Sequence, residues 1–314
     1  MKSNKRPGNG IAFSLIAAAV SGISVYVAKF GTQMVPDPFV YTTARNLTVG
    51  ILLVIGLAIS GKRLQIHTLS RPTVLRLGLI AVIGGSVPFL LFFWGLTLTS
   101  AATGSLIQKT QFIWVALLVT PFLGERLNRL HLVAVAVLIG SLAVQGPAVL
   151  ATPGLGVGLV FAATALWAAE TIVVRRILSD VPVLLVATAR MAGGAAIMVA
   201  ALAATGRVTT LFQLNSLQLA WVIGPSLILL AYVLIWYRAL QASPALVVTG
   251  LLALGAPVTA VLAGGAAIYS TFALPPRFSP DLATVLLVLG CAILLVATVQ
   301  RPGNDAARPI APRS

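Results

Sequence analysis

Charge is scarce in this chain, and negative charge scarcest: Asp and Glu number six, charged residues of every kind make up 9%, and hydrophobic residues fill 59% of 314 positions. A water-soluble domain carries roughly a quarter charged residues, so this balance excludes one and indicates a polytopic membrane protein. Cysteine is limited to Cys291, which excludes an intrachain disulfide and a Cys-rich metal site. The two histidines, His67 and His131, lie beside basic loops and do not make a histidine metal centre, so neither metal nor cofactor is expected. Enzyme chemistry also lacks support, because the chain has no His/Glu cluster, no nucleophile beside a base and no phosphate-cradling loop. The formal net charge is +15, which in a soluble protein would point to nucleic acid. Here the basic residues stand mostly at the ends of apolar segments, where membrane orientation explains them and no nucleic acid is needed. Behind the basic start, Met1 to Gly8, no small-residue cleavage site follows, and the first apolar stretch reads as an uncleaved span.

What fills the chain is a series of ten apolar segments, at about 10–30, 38–60, 73–98, 101–123, 129–147, 155–178, 182–205, 217–240, 244–268 and 280–300. At ~1.5 Å per helical residue, such lengths match a ~30 Å hydrocarbon core. The gaps are too short for a folded soluble domain, so function resides in the membrane part of an all-α integral membrane protein. With the N-terminus in the cytoplasm, fifteen of the 21 basic residues fall inside, while Lys29, Arg207 and Arg277 fall outside and Arg45, Lys109 and Arg190 stay within spans. That asymmetry, with an even number of spans, predicts a multi-pass protein of the cytoplasmic (inner) membrane with both termini cytoplasmic.

The sequence also repeats itself. Thr43-Ala44-Arg45 in the second span recurs as Thr188-Ala189-Arg190 in the seventh, and Trp94 in the third matches Trp236 in the eighth. The turn Leu98-Thr99-Ser100-Ala101 corresponds to Leu240-Gln241-Ala242-Ser243. Each half holds five spans, and an odd number turns the second copy upside down. The expected organisation is a cytoplasmic segment 1–9, a first repeat 10–147, a linker 148–154, a second repeat 155–300 and a cytoplasmic tail 301–314. Inverted repeats are the mark of alternating-access carriers, with substrate held near the midplane where the halves meet.

Taken together, the paired five-helix repeats, an arginine early in each repeat's second helix, the Trp167-Ala168-Ala169 run and the Gly124-Glu125-Arg126 end of the fourth span resemble the EamA-type drug/metabolite transporter superfamily. The resemblance covers about residues 10–300. It implies a ten-helix carrier of amino acids, other metabolites, nucleotide-linked sugars or drugs, and for many bacterial members an exporter. Two departures stand out. The second repeat has Ala263-Gly264-Gly265-Ala266 leading to Tyr269 and Pro275-Pro276 in place of Gly-Glu-Arg, and the fourth span carries Lys109 to Phe112 where the family commonly has a proline.

Polar residues inside the spans nominate the site. A lysine and two glutamines at mid-depth cost several kcal/mol facing lipid, so Gln108, Lys109 and Gln111 are expected to line an internal hollow, with Gly104, Gln108 and Gln111 at i, i+4 and i+7 of one helix face. In the sixth span Trp167, Glu170, Thr171 and Val174 form one stripe. Three readings stay open for Glu170: it binds a substrate amine or a coupling proton, it pairs with Lys109, or it reaches the interface near Arg175 and Arg176. Ser21 on the first span is a weaker candidate, since small hydroxyl residues more often serve helix packing. Aromatic walls are expected from Phe89 and Phe93 in the third span and from Tyr232 and Trp236 in the eighth. Arg45 and Arg190 read as structural or gate-stabilising groups that tie helix ends to neighbouring carbonyls, and Pro88 and Pro257 as interruptions useful for hinging, along with Gly84-Gly85 and Gly193-Gly194.

The leading expectation is a secondary transporter that exports small organic solutes, amino acids including aromatic ones first among them, as a monomer in the lipid bilayer. A passive channel is the alternative from another class, and it would need a continuous polar lining. A sugar-phosphate or nucleotide-sugar exchanger is the rival within carriers, but a phosphate wants several basic contacts and one well-placed intramembrane lysine supplies too few.

Overall fold

The computed structural model describes residues 7–60, 69–99, 101–125, 127–145, 154–259, 261–262 and 282–299. Residues 1–6, His67, Arg126, linker residues 148–153, Gly264, Gly265, Tyr269, Pro275, Pro276, Arg277 and the tail 301–314 lie outside the described residues, and the expectations that fell on them do too. Among the described residues there are helices and turns and no strand. Seven helical stretches among the described residues are long and apolar enough to cross a membrane, and shorter apolar helices run over Ile107–Leu123, Arg129–Val144 and Ala245–Thr259. The molecule is a multi-pass membrane protein.

Helix α1 spans Pro7–Met34. Next comes α2, Pro38–Ile59, which starts where the Asp37 carboxylate accepts from the Phe39 and Val40 amides and Pro38 supplies a preset φ at the first position. The segment expected at 73–98 is two helices, α3 (Arg71–Ile83) and α4 (Val87–Leu98). Gly84-Gly85-Ser86 forms the turn between them, so Pro88 opens α4 instead of kinking a continuous helix. A second break divides α5 (Ala101–Lys109) from α6 (Gln111–Leu123). There the Thr110 amide and hydroxyl both donate to the Ile107 carbonyl, at 2.9 and 2.6 Å, tightening the turn and ending the regular ladder. Gly124 closes α6 with φ of 67°, a left-handed cap that suits glycine.

Helix α7 (Arg129–Gln145) follows, and α8 (Leu155–Ile177) comes next. After it, α9 (Val183–Thr188) widens into a π-helical turn at Ala189–Gly193 before α10 (Gly194–Ala204) resumes. A 3-10 turn at Val208–Phe212 leads to α11 (Ser216–Ala242), whose start carries a reciprocal cap between Asn215 and Gln218. The chain then forms α12 (Ala245–Leu252) and, past a turn at 253–254, helical residues 255–259. Pro257 therefore sits in a fresh first turn, beyond the break. The described chain ends with α13 (Leu282–Val299).

Helices far apart in sequence make the main contacts: α1 lies along α11, α4 along α8, and α7 along α13. Helix α2 runs antiparallel to the α9–α10 segment, with Asn46 reaching Met198, Gly50 against Ala192, and Thr188 at the Leu53 carbonyl. The apolar core gathers around Val49, Ile80, Val174, Val186, Met191 and Val233, while Val54, Ile55, Ile59 and Leu117 stand exposed on the outside, as lipid-facing residues do.

Candidate functional site

A carboxylate that cannot reach water needs a cation, and Glu170 on α8, 0% exposed, finds one in Arg190, whose Nε stands 2.7 Å from Oε1. The Arg190 N–H is not aimed along that contact, so charge rather than a formed hydrogen bond holds the pair. Tyr237 on α11 donates its phenol to the same Oε1 at 2.9 Å. Arg190 belongs to the π-helical turn. Such single wide turns are frequent at functional sites.

The turn between α3 and α4 lets these parts meet. A Cβ added to Gly84 would fall 2.2 Å from the Glu170 carboxyl carbon, and one added to Gly85 would fall 2.0 Å from the Arg190 carbonyl oxygen. Gly85 also touches Gly194, where an added Cβ would lie 2.3 Å from the Gly85 carbonyl. The two glycine pairs picked out in the sequence therefore bear on each other, and any side chain there would push the ion pair apart.

Aromatic rings enclose the charges. Trp167 donates Nε1–H to the Gly84 carbonyl at 3.3 Å and packs edge-on against Phe89, with ring centroids 5.3 Å apart, and against Phe92 at 5.5 Å. The Arg190 guanidinium lies over Phe89 and Trp236, 5.9 and 5.5 Å from their centroids, favourable to the cation through the ring quadrupoles. Tyr232 stacks on Trp236 at 6.1 Å, and Trp236 leans on Tyr237 at 4.9 Å. Besides Arg190 Nε, which faces the carboxylate, two polar atoms in this enclosure, Glu170 Oε2 and Trp236 Nε1, are buried without a hydrogen-bond partner among the described residues. One accepts and the other donates, so their chemistry matches a ligand that carries a cationic donor and an acceptor.

The fourth-span wedge is differently arranged. Because the helix breaks at Thr110, Gln108 and Gln111 do not share one continuous face: Gln108 is exposed and Lys109 half-buried on α5, while Gln111 on α6 donates to Thr171 Oγ1 at 3.5 Å, next to Glu170. The pairing of Glu170 with Lys109, and its reach to Arg175 or Arg176, both give way to Arg190. Arg190 in turn ties two charged helices together at the core and does not tie a helix end to carbonyls. Phe93 stands one step off, between Phe92 and Phe39 at 5.6 and 6.4 Å. Ser21 is half-buried on α1.

Two participants escaped the sequence reading: Phe92 and Tyr237. Tyr237 had a signal, since a phenol beside an indole on an apolar helix must find a partner when buried, but no spacing within one helix could name Glu170. A recess of about 210 Å³ also opens between α2 and α10, lined by Leu47, Gly50, Ile51, Val54, Ile55, Ala192 and Ala196. Its lining is apolar, which suits lipid and not a polar solute.

Each end of the bundle is bridged. At one end Arg207 pairs with Asp37 at 2.9 Å and lies over Phe39, and Gln218 donates to the Met34 carbonyl at 3.0 Å. At the other end the Glu125 carboxylate accepts from the Ala245 amide at the start of α12, 3.1 Å, with Arg175 3.8 Å from the same oxygen, and Arg176 donates to the Phe122 carbonyl.

Residues 8–145 match the EamA-like transporter family. A solved structure described as "Crystal structure of protein" is 17% identical and superposes with a TM-score of 0.69 over 94% of this chain and 100% of that one, a likeness of fold alone. No curated protein matches the sequence.

Proposed function

We propose that this chain, whose residues 8–145 match the EamA-like transporter family, is a secondary carrier that exports amino acids, aromatic ones included, by alternating access. Its ten spans form two inverted five-helix repeats, 10–147 and 155–300, with both termini on the cytoplasmic side of the inner membrane, and it works as a monomer. The cross-pairing supports the duplication: the first helix of each half lies along the third span of the other, α1 on α11 and α8 on α4. Arg45 and Arg190 support it too, each the eighth residue of its 22-residue helix.

The observation that carries the proposal is the Glu170–Arg190 pair inside its aromatic enclosure. Taking two charges out of water costs several kcal/mol per ion even after relaxation, and ionisable groups at membrane depth mark substrate or proton pathways. A zwitterion answers the two unpartnered atoms there: its ammonium donates to Glu170 Oε2, its carboxylate accepts from Trp236 Nε1, and an aromatic side chain lies against Phe89, Phe92 and Trp167. The pair also joins parts of both halves, because the Gly84-Gly85 turn presses on Glu170 and Arg190. Substrate that loosens this contact frees the halves to rock about it, with the Asp37–Arg207 and Glu125–Arg175 bridges opening in turn as the two gates. Gln111, beside Thr171, and Lys109 on the neighbouring helix flank the path; Ser21, Phe93 and Tyr232 line it further out.

Counterflow in liposomes tests this. Purified protein is expected to exchange labelled phenylalanine or leucine saturably, with Trp167→Ala and Lys109→Ala raising the half-saturating concentration. Flux that rises linearly with concentration would favour a channel instead.

A further inference from the structure

Arg190 has a twin, and the twin lacks an acid. Counting back the 145 residues that separate Arg190 from Arg45 puts Val25, 59% exposed, where Glu170 stands. Among the described residues no ion pair reaches Arg45; its ionisable neighbour is the Tyr41 phenol, with the guanidinium carbon 5.7 Å from the ring centroid. The guanidinium is half-buried, and its Nε is buried without a hydrogen-bond partner.

The polar groups around it are equally unsatisfied. Buried hydroxyls elsewhere on these helices, such as Ser14, Thr164, Thr171 and Ser226, donate to the carbonyl four residues back. Thr42 and Thr43 do not: both Oγ1 atoms, and Asn46 Oδ1 one turn on, are buried with no partner among the described residues, in residues 1%, 0% and 0% exposed. At ~100° per residue, Tyr41, Thr42, Arg45 and Asn46 fall within an arc of about 140° on α2. Buried hydroxyl and amide groups left without partners each forfeit free energy, so a face that collects them beside a cation is shaped for a polar group arriving from outside. A planar guanidinium beside hydroxyl donors fits a carboxylate, held by two parallel N–H contacts and completed by a hydroxyl.

The antiparallel register fixes where this face lies. Ala192 sits opposite Gly50, and Thr188 opposite Leu53, so Arg190 stands level with α2 residues six or seven positions beyond Arg45. That separates the two arginines by roughly 10 Å along the bundle. We propose that Arg45, with Thr42 and Asn46, is a second station on the transport path that receives the carboxylate of the solute before or after its ammonium engages Glu170. This rests on the carrier reading for the identity of the solute, but the anion site itself does not require transport.

Thermal unfolding in neutral detergent without added phospholipid, so that no headgroup supplies the anion, tests the site with phenylacetate and its uncharged partner phenylacetamide. Phenylacetate is expected to raise the melting temperature of wild type, saturably, and phenylacetamide is not. Arg45→Gln weakens the apparent affinity for phenylacetate about tenfold or more, as loss of a charged hydrogen bond does, and Arg45→Lys restores part of it. Thr42→Val, close in shape and free of the hydroxyl, weakens it by a smaller factor and keeps the site testable if Arg45→Gln does not fold. Glu170→Gln leaves the shift in place. Equal shifts in wild type and Arg45→Gln, or in wild type with acid and amide, overturn the site. If liposomes show no saturable exchange while the Arg45-dependent shift persists, the carrier reading falls and the anion site stands. Saturable exchange with no such shift overturns the anion site and leaves the carrier reading in place.

Discussion

Arg45 and Arg190 share the local sequence Thr-Ala-Arg and the same place on their helices, yet one meets a carboxylate and the other a set of unsatisfied hydroxyl and amide groups. Their Trp counterparts divide the same way: Trp236 is 3% exposed and caps the Arg190 guanidinium, while Trp94 is 51% exposed on the outside. The two Thr-Ala-Arg stretches place two arginines alike on their helices, and what differs is the opposing helix. A repeat in sequence therefore marks where function can lie, and the neighbour decides which chemistry each copy performs.

The contrast breaks most readily at the paired arginine. Arg190→Ala leaves Glu170 buried without its cation and is expected to destabilise by about 3–5 kcal/mol, whereas Arg45→Ala strands no acid and should stay within about 1 kcal/mol of wild type. Melting curves in detergent compare them, and equal losses would erase the distinction between the two halves. A smaller effect follows at the backbone contact under the pair: Gly85→Ala forces Arg190 and Gly194 aside at a cost of about 1–3 kcal/mol. Gly56→Ala, with nothing within 4 Å of the added carbon, is neutral or stabilising by a few tenths to about 1 kcal/mol.

Next in size, Trp167→Phe keeps a ring against Phe89 but removes the bond to the Gly84 carbonyl, a loss of about 0.5–1.5 kcal/mol, accompanied by slower exchange. Trp94→Phe changes neither quantity. Smallest is the Asp37–Arg207 bridge, whose side chains are 30% and 41% exposed. Asp37→Asn alters stability by less than about 1 kcal/mol, and its effect is expected in the rate of exchange at the Asp37 end, read by stopped-flow counterflow.

Much of the fold was legible because its signals are local. Apolar length marked the membrane-crossing stretches, seven of them long enough among the described residues, the Gly124-Glu125 run marked the end of the fourth, and the recurring Thr-Ala-Arg marked two arginines at like places on their helices. Glu170 and Trp167 were legible as a polar stripe in an apolar helix. The break at Thr110 was not, since a single threonine hydroxyl competing for the Ile107 carbonyl leaves no mark in hydropathy, and it separated Gln108 from Gln111. Nor was the partner of Glu170, because choosing Arg190 over Lys109 depends on how closely the Gly84-Gly85 turn approaches the π-helical turn. That distance is set between helices and has no periodicity to read.

The most direct trial of the Glu170–Arg190 centre is counterflow of labelled phenylalanine by Glu170→Gln, a near-isosteric change, in liposomes matched to wild type for folded protein. Exchange that falls about tenfold to a hundredfold, the size expected when a charged contact to the substrate ammonium is lost, agrees with a substrate held at that carboxylate. Exchange with unchanged half-saturation and rate would contradict it.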